Sequence, residues 1–261
     1  MNPYIPEQAK ILDVRRLTFD TNIYRINHKI KHDPGQFVQV SLLGIGECPI
    51  SICSHSNKYI DLCIRDVGNV TKFIHKLKKG DSIFVRGVYG HGYPMEMLEN
   101  KDVIVIGGGT GVAPLRSVIE YLENNTKMFG DIYIFLGFRS PDDILFKNDT
   151  KRWNKKFKLI LTVDKAPRTY KGKVGYIMPL LEKEKFNIEH SVALTCGPPI
   201  MIKFVLQSLK KIGFSDDQIY VSYERLMHCG IGKCGHCAMS GHLVCQHGPV
   251  FNYSIAKDFE D

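Results

Sequence analysis

Four cysteines near the end of the chain, Cys229, Cys234, Cys237 and Cys245, follow the spacing C-x4-C-x2-C-x7-C. A C-x4-C-x2-C run with a fourth, more distant Cys is the spacing that holds a [2Fe–2S] cluster through four thiolates. Gly230, Gly232 and Gly235 let the backbone wrap tightly around a compact centre, and their N–H groups can bond its sulfurs. Four thiolates also suit one tetrahedral zinc ion. Structural zinc sites, however, commonly pair two C-x2-C knuckles, and only one pair here has that spacing. His228, His236, His242 and His247 lie nearby and read as neighbours, since the four cysteines suffice. Cys48, Cys53, Cys63 and Cys196 are scattered, so a disulfide framework is not the expectation.

A second constellation is Gly107-Gly108-Gly109-Thr110-Gly111-Val112-Ala113-Pro114, directly after the apolar run Val103–Ile106. Glycines at a strand-to-helix turn allow a pyrophosphate to approach the backbone, and the helix start offers free N–H groups. Gly108, Gly109, Thr110, Gly111 and Ala113 are the expected nucleotide contacts, with a mere tight turn as the alternative. A second loop, Cys196-Gly197-Pro198-Pro199, also follows a predicted strand, so Cys196, Gly197 and Pro198 are expected with the first loop at the carboxyl ends of the strands, where ligands collect. Asp142 and Asp143 follow Arg139 at the end of another strand. Carboxylates there accept ribose hydroxyls and repel a 2′-phosphate, which favours NADH over NADPH.

The third constellation joins Pro49, Ile50 and Ser51 to the segment from Ile64 and Arg65 through Val67, Gly68, Val70 and Thr71. The Ser51 hydroxyl can bond a flavin ring nitrogen, and Gly68 to Thr71 opens a short helix that can hold a phosphate. Each piece also reads as ordinary strand-end or helix-cap chemistry. No nucleophile–base pair for hydrolysis is evident. The implied chemistry is redox, carried by cofactors, with Ser51 and Cys196 as the expected catalytic side chains.

Three kinds of element must position these groups. Residues 1–98 read as short strands with turns: Phe37–Ser41, Tyr59–Arg65 and Ser82–Arg86, with a helix from Val70 to Leu77, as in an antiparallel barrel. Residues 99–220 alternate buried strands (Val103–Ile106, Ile132–Leu136, Leu159–Val163, Ser191–Thr195) with helices near Ala113–Asn124, Asp142–Asn154, Tyr176–Lys185 and Ile200–Lys211. That alternation predicts a parallel α/β sheet. Residues 221–261 are rich in Cys, Gly and His and need more than an apolar core to order them. The fold class expected is therefore multidomain, β plus α/β, with a small iron–sulfur module.

Composition agrees. The 261 residues are 44% hydrophobic and 24% charged, which is globular. No apolar run approaches the roughly 18 residues of a spanning helix, and the start lacks a secretory pattern, so a cytoplasmic location without membrane insertion is expected. The net charge is +8, and residues 147–173 carry ten Lys and Arg against Asp149 and Asp164. Such a stretch suits an acidic partner, a phosphate ligand or a solvated surface; nucleic acid is not expected, because no recognition motif accompanies it.

The combination of P-I-S-I, R-x-V-G-x-x-T, G-G-G-T-G-V-A-P, C-G-P-P and a four-Cys tail resembles the ferredoxin–NADP reductase superfamily over essentially the whole chain. The tail is similar to that of its multisubunit members. Glu47-x-Pro49-Ile50-Ser51, Arg86-Gly87-x-Tyr89-Gly90-x-Gly92-Tyr93-Pro94 and Tyr223-Glu224-Arg225 most resemble the electron-transfer subunits of anaerobic sulfite reductases. Hydrogenase γ subunits share the seven-residue gap before Cys245, and dihydroorotate dehydrogenase electron-transfer subunits are further relatives. The resemblance implies FAD, a [2Fe–2S] cluster and NADH as cofactors. It implies electron delivery to partner subunits of a sulfite reductase, an iron–sulfur subunit and a siroheme subunit, with sulfite reduced to sulfide. A hydrogenase or dihydroorotate-type γ subunit is the alternative, and a zinc-tailed interaction module is the non-enzymatic one. Many superfamily members carry an Arg three residues before the flavin-contacting Ser; here Cys48 stands there, so a cationic contact to the flavin pyrophosphate is either missing or supplied by Arg65.

Overall fold

A computed structural model describes residues 2–259. The N-terminal barrel contains strands β1 (Glu7–Arg16), β2 (Thr21–Ile26), β3 (Phe37–Leu42), β4 (Gly46–Ser51) and β5 (Ile60–Arg65), helix α1 (Asn69–Ile74) and β6 (Ser82–Tyr89). The order is β4-β3-β6-β1-β2-β5, antiparallel throughout, and a bridge between Ile52 and Leu62 draws the two edge strands together. Alternation explains the core: Val38 and Val40 of β3, Ile83 and Val85 of β6, and Leu62 and Ile64 of β5 face inward and are fully buried.

The second unit contains β7 (Asp102–Gly108), α2 (Val112–Asn124), β8 (Ile132–Phe138), α3 (Lys147–Trp153), β9 (Lys158–Val163), β10 (Lys173–Val174), α4 (Met178–Leu181), β11 (Ser191–Cys196), α5 (Pro199–Ile212) and β12 (Ile219–Ser222). Its strands run parallel in the order β10-β9-β8-β7-β11-β12. The continuous apolar run of β7 is buried on both faces. Val103 and Val105 join one hydrophobic cluster, and Ile104 and Ile106 join the other.

Two helices are shorter than the sequence predicts. Of Asp142–Asn154 only α3 is α-helical, because Phe146 adopts a left-handed φ of 53° and the buried run Ile144–Phe146 anchors the chain before the helix begins. Tyr176–Lys185 yields only the single turn α4.

The C-terminal segment adds β13 (Ala238–Met239), β14 (His242–Leu243), α6 (Val244–His247), β15 (Val250–Asn252) and α7 (Tyr253–Ala256). β15 pairs antiparallel with β12 and completes the larger sheet as its seventh strand. The cysteine-rich segment is thus tied into the α/β unit by backbone. Among the described residues no helix is long and apolar enough to cross a membrane.

Candidate functional site

The nucleotide loop is built by close approach. β7 ends at Gly108, a 3-10 turn spans Gly109–Gly111, and α2 follows. A Cβ on Gly111 would lie 2.6 Å from the backbone of Cys196 and Gly197, and one on Gly108 would lie 2.0 Å from the Met201 sulfur. Only glycine lets the two predicted loops meet at the carboxyl ends of β7 and β11. They open on a cavity of about 760 Å³, large enough for a dinucleotide, lined by Gly108, Gly109, Thr110 and Pro198. Arg139, Asp143 and Asp164 line its far end, and Arg65 and Asp20 of the barrel face it.

The predicted nucleotide residues divide. Asp143 lines the cavity and accepts a hydrogen bond from the Ser140 hydroxyl at 2.7 Å, whereas Asp142 is exposed and outside the lining. Ala113 packs into the core. Cys196 closes β11 beneath the loop and is 2% exposed. Burial, and then the neighbouring Glu224, push its thiol up to about 12. It is a neutral, shielded group at neutral pH, not a reactive thiolate. Asp164 carries no signal in its local sequence; the strand end before it is what places it in the cavity.

The flavin motifs, separated in sequence, meet at the barrel seam. Pro49, Ile50 and Ser51 form the half-buried end of β4, while Arg65 ends β5. α1 packs against the start of β4: a Cβ on Gly46 would lie 3.0 Å from Val70. The Thr71 hydroxyl accepts the N–H groups of Val67 and Gly68 at 3.1 and 2.9 Å and donates to the Gly68 carbonyl, so it shapes the turn itself. Ile64 is fully buried in the barrel core and contributes no surface to a ligand. Val67, by contrast, is 73% exposed beside the half-buried strip of β4. An apolar strip at a sheet edge, with a Gly turn and Arg65 beyond it, fits a flat, partly apolar cofactor. Arg65 donates from Nε to Asp20 at 2.6 Å, which leaves the rest of its fork for an anion. At the place of the missing arginine, burial and then Glu47 raise the Cys48 thiol to about 11.

The four cluster cysteines are brought together in two pairs. The thiols of Cys229 and Cys234 pair, as do those of Cys237 and Cys245. The N–H groups of Ile231, Lys233 and Cys234 point at Cys229 Sγ from 3.5, 3.3 and 3.4 Å, and Gly232 N–H points at Cys245 Sγ from 3.2 Å. Burial opposes ionisation of Cys229, but those N–H groups prevail and bring its thiol down to about 6. The C-x4-C-x2-C-x7-C spacing, not the arrangement of the thiols, favours a two-iron centre over one zinc ion. Of the nearby histidines, His228 and His236 pack tilted against each other at 4.1 Å, and His247 Nδ1 accepts the Leu243 N–H.

The module leans on the barrel. Cys237 and Cys245 share a hydrophobic cluster with Phe37 of β3 and Tyr89 of β6. Arg86 donates to Glu47 through Nε and Nη2, to the Cys229 carbonyl at 2.5 Å and to the His228 carbonyl at 3.0 Å. The hydrogen bonds it gives to Glu47 hold the guanidinium firmly protonated. In the sequence, Arg86 and Glu47 stand out only as members of motifs that carry a resemblance. The Cys229 carbonyl lies 143 positions from Arg86, and no local pattern signals the contact.

Comparison with known proteins places these features together. Residues 105–207 match the family model of the oxidoreductase NAD-binding domain, and residues 224–255 match the iron–sulfur cluster binding domain of dihydroorotate dehydrogenase B. The chain is 41% identical to the sulfhydrogenase 2 γ subunit of Pyrococcus furiosus, over 97% of this chain and 96% of that one. It is 33% identical to a probable dihydroorotate dehydrogenase B (NAD(+)) electron transfer subunit of the same organism, over 88% and 83%. Its fold matches a chain of the NADH-dependent reduced ferredoxin–NADP oxidoreductase structure with a TM-score of 0.80 at 24% identity, covering 97% and 89%.

Proposed function

Because the chain belongs to the ferredoxin–NADP reductase-like electron-transfer subunits that end in a dihydroorotate dehydrogenase B-type iron–sulfur module, we propose that it draws electrons from NADH and delivers them to a partner subunit of a larger redox complex. When bound, FAD takes the nicotinamide's electrons in pairs and the iron–sulfur centre carries them singly, which is the chemistry such a subunit requires. The chain's own residues do the holding. Gly108 to Thr110 and the start of α2 bind the pyrophosphate, and Asp143 and Asp164 accept ribose hydroxyls. Pro49 to Ser51, Arg65 and Gly68 to Thr71 seat the flavin at the barrel seam. Cys196, beneath the loop, is a shape element of the nicotinamide site. Cys229, Cys234, Cys237 and Cys245 hold the irons.

One observation carries this reading: the paired cysteines sit on a module that shares a hydrophobic core with the flavin barrel. The nearly full-length similarity to sulfhydrogenase γ favours a hydrogenase-type complex as the acceptor over the sulfite-reducing partners expected from the motifs. Under argon, NADH should bleach the flavin band of the purified protein, and iron and acid-labile sulfide should be present in equal amounts. Cys234→Ser should keep the bleaching and lose the reduced centre's EPR signal. Protein that is folded but free of iron and sulfide would refute the reading. Assay of the co-purified native complex for NADH-dependent hydrogen evolution and for NADH oxidation by sulfite decides the acceptor.

A further inference from the structure

β3 and β6 turn one face inward to the barrel core and the other toward the C-terminal module. Phe37 and Tyr89 on that outer face are apolar, but Gln39 and Arg86 are not. Arg86 is only 9% exposed, and its partner Glu47 on β4 is 26% exposed. The guanidinium has no idle edge: Glu47 takes Nε and Nη2, the Tyr89 hydroxyl and the Cys229 carbonyl take Nη1, and the His228 carbonyl takes Nη2. The neighbouring Gln39 is fully buried, and both its amide atoms lack a partner among the described residues. It lies directly under the cluster loop, since a Cβ on Gly230 would sit 3.4 Å from Gln39 Cγ and 3.2 Å from the Tyr89 ring.

We propose that Arg86, braced by Glu47, is the positioning residue of the iron–sulfur centre: by gripping the carbonyls of His228 and Cys229 it fixes the first ligand loop on the barrel and sets the charge beside the centre. This rests on the reading that the four cysteines hold such a centre. An apolar contact would have sufficed to glue the module down, as Phe37 and Tyr89 already do. Taking the guanidinium out of water costs desolvation, which Glu47 and the two carbonyls offset. The planar fork grips the carboxylate with two nitrogens while still reaching two carbonyls, a fixed geometry that a single ammonium does not reproduce. The unpaired Gln39 amide beneath Gly230 belongs to the same polar seat and is available to the sulfurs of the loaded centre.

Opposite signs distinguish this role from structural support. In the full chain loaded with flavin and iron, Glu47→Gln leaves an unbalanced positive charge, which should raise the centre's midpoint potential. Arg86→Gln leaves an unbalanced negative charge and should lower it. Arg86→Lys keeps the charge but loses the fork; the potential should stay near that of the unaltered protein. Its reduced-state EPR line shape should change, and reduction of the centre by NADH should slow about tenfold. Anaerobic redox titration, EPR and stopped-flow absorbance read these effects, with the far-UV circular dichroism spectrum as the folding control. Potentials that shift in the same direction in the two glutamine variants, or do not shift, would overturn the proposal. If Arg86→Gln fails to assemble the centre, the Glu47→Gln potential decides alone. Unaltered protein lacking iron and sulfide would instead refute the reading beneath it.

Discussion

A carboxylate at the far end of a nucleotide cavity discriminates between a ribose hydroxyl and a phosphate. Asp143 stands there beside Arg139 and Asp164, and Ser140 fixes its orientation. Burial raises the Asp164 carboxyl above the ordinary carboxylate range, while Arg139 and Lys165 oppose that rise. Asp142, adjacent in sequence, is exposed and outside the cavity. The two aspartates, equivalent to a sequence reading, therefore part company. Asp143→Ala should weaken NADH binding about tenfold, or about 1.4 kcal/mol, by removing an acceptor for a ribose hydroxyl. Asp142→Ala should leave affinity unchanged within about a factor of two, as a surface change away from the ligand. Titration of flavin-loaded protein with NADH under conditions that prevent turnover, or with NAD⁺, checks both. Equal losses in the two variants would mean the cavity is not where the ribose binds.

At the scale of elements, the helix that begins at the glycine loop is bolted to the barrel. Arg116 of α2 is buried and pairs with Asp61 of β5, Glu120 and Asp149 at 3.4, 2.7 and 3.0 Å, and it donates to the Cys53 carbonyl at 2.6 Å. Asp61 is fully buried and also takes a two-pronged bond from Arg25 at 2.8 and 2.9 Å. Arg116→Met should cost about 3 kcal/mol, at the lower end for breaking a buried pair, because Arg25 still compensates Asp61. Asp61→Asn should cost less, since Arg116 keeps two carboxylates. Urea denaturation of the two variants gives the order. This lock was not legible in the sequence, because ion pairs across a domain boundary leave no periodic trace. Strands buried on both faces were legible: β7 and β8 carry continuous apolar runs, and β11 is small and apolar through Val192–Leu194. β1 and β2 were not, since EQAKILDVRR and TNIYRI interrupt their apolar residues with charged and polar ones. The site follows the same rule. The cysteines could be read because their ligand set is local in sequence, and the Gly loop because its turn is local. Arg86, Asp20 and Gln39 act through residues far along the chain, and only the fold reveals them.

The whole molecule is three units held by unequal means. The barrel and the α/β unit are joined by the Arg116 network and by the Tyr93 hydroxyl donating to the Thr195 carbonyl at 3.2 Å. The basic run from 147 to 173 is partly neutralised in space, with Arg152 and Lys156 on Glu123 and Lys158 on Glu184, so it is a weaker electrostatic beacon than its sequence suggests. The C-terminal module touches both other units: β15 is a strand of the main sheet, the Arg86 grip reaches the barrel, and His91 donates to the Gly248 carbonyl at 2.5 Å. Its middle is different in kind. From Cys229 to Cys237 the backbone N–H groups point largely at sulfur rather than at carbonyls, and Gly230, Gly232 and Gly235 all take positive φ. Bound to the irons, the four cysteines would be cross-linked to one another; without the irons, only the N–H contacts to sulfur hold the loop around them. Removing iron and sulfide anaerobically should therefore loosen the module from its centre outward. Amides of Ile231, Gly232, Lys233 and Cys234 should lose at least about tenfold in hydrogen-exchange protection, or about 1.4 kcal/mol of opening free energy. Those of β15, held by Tyr220 and Ser222 of β12, should keep theirs. Equal loss in β15 and in the cysteine loop would mean that the centre, and not the sheet, holds this end of the chain in place.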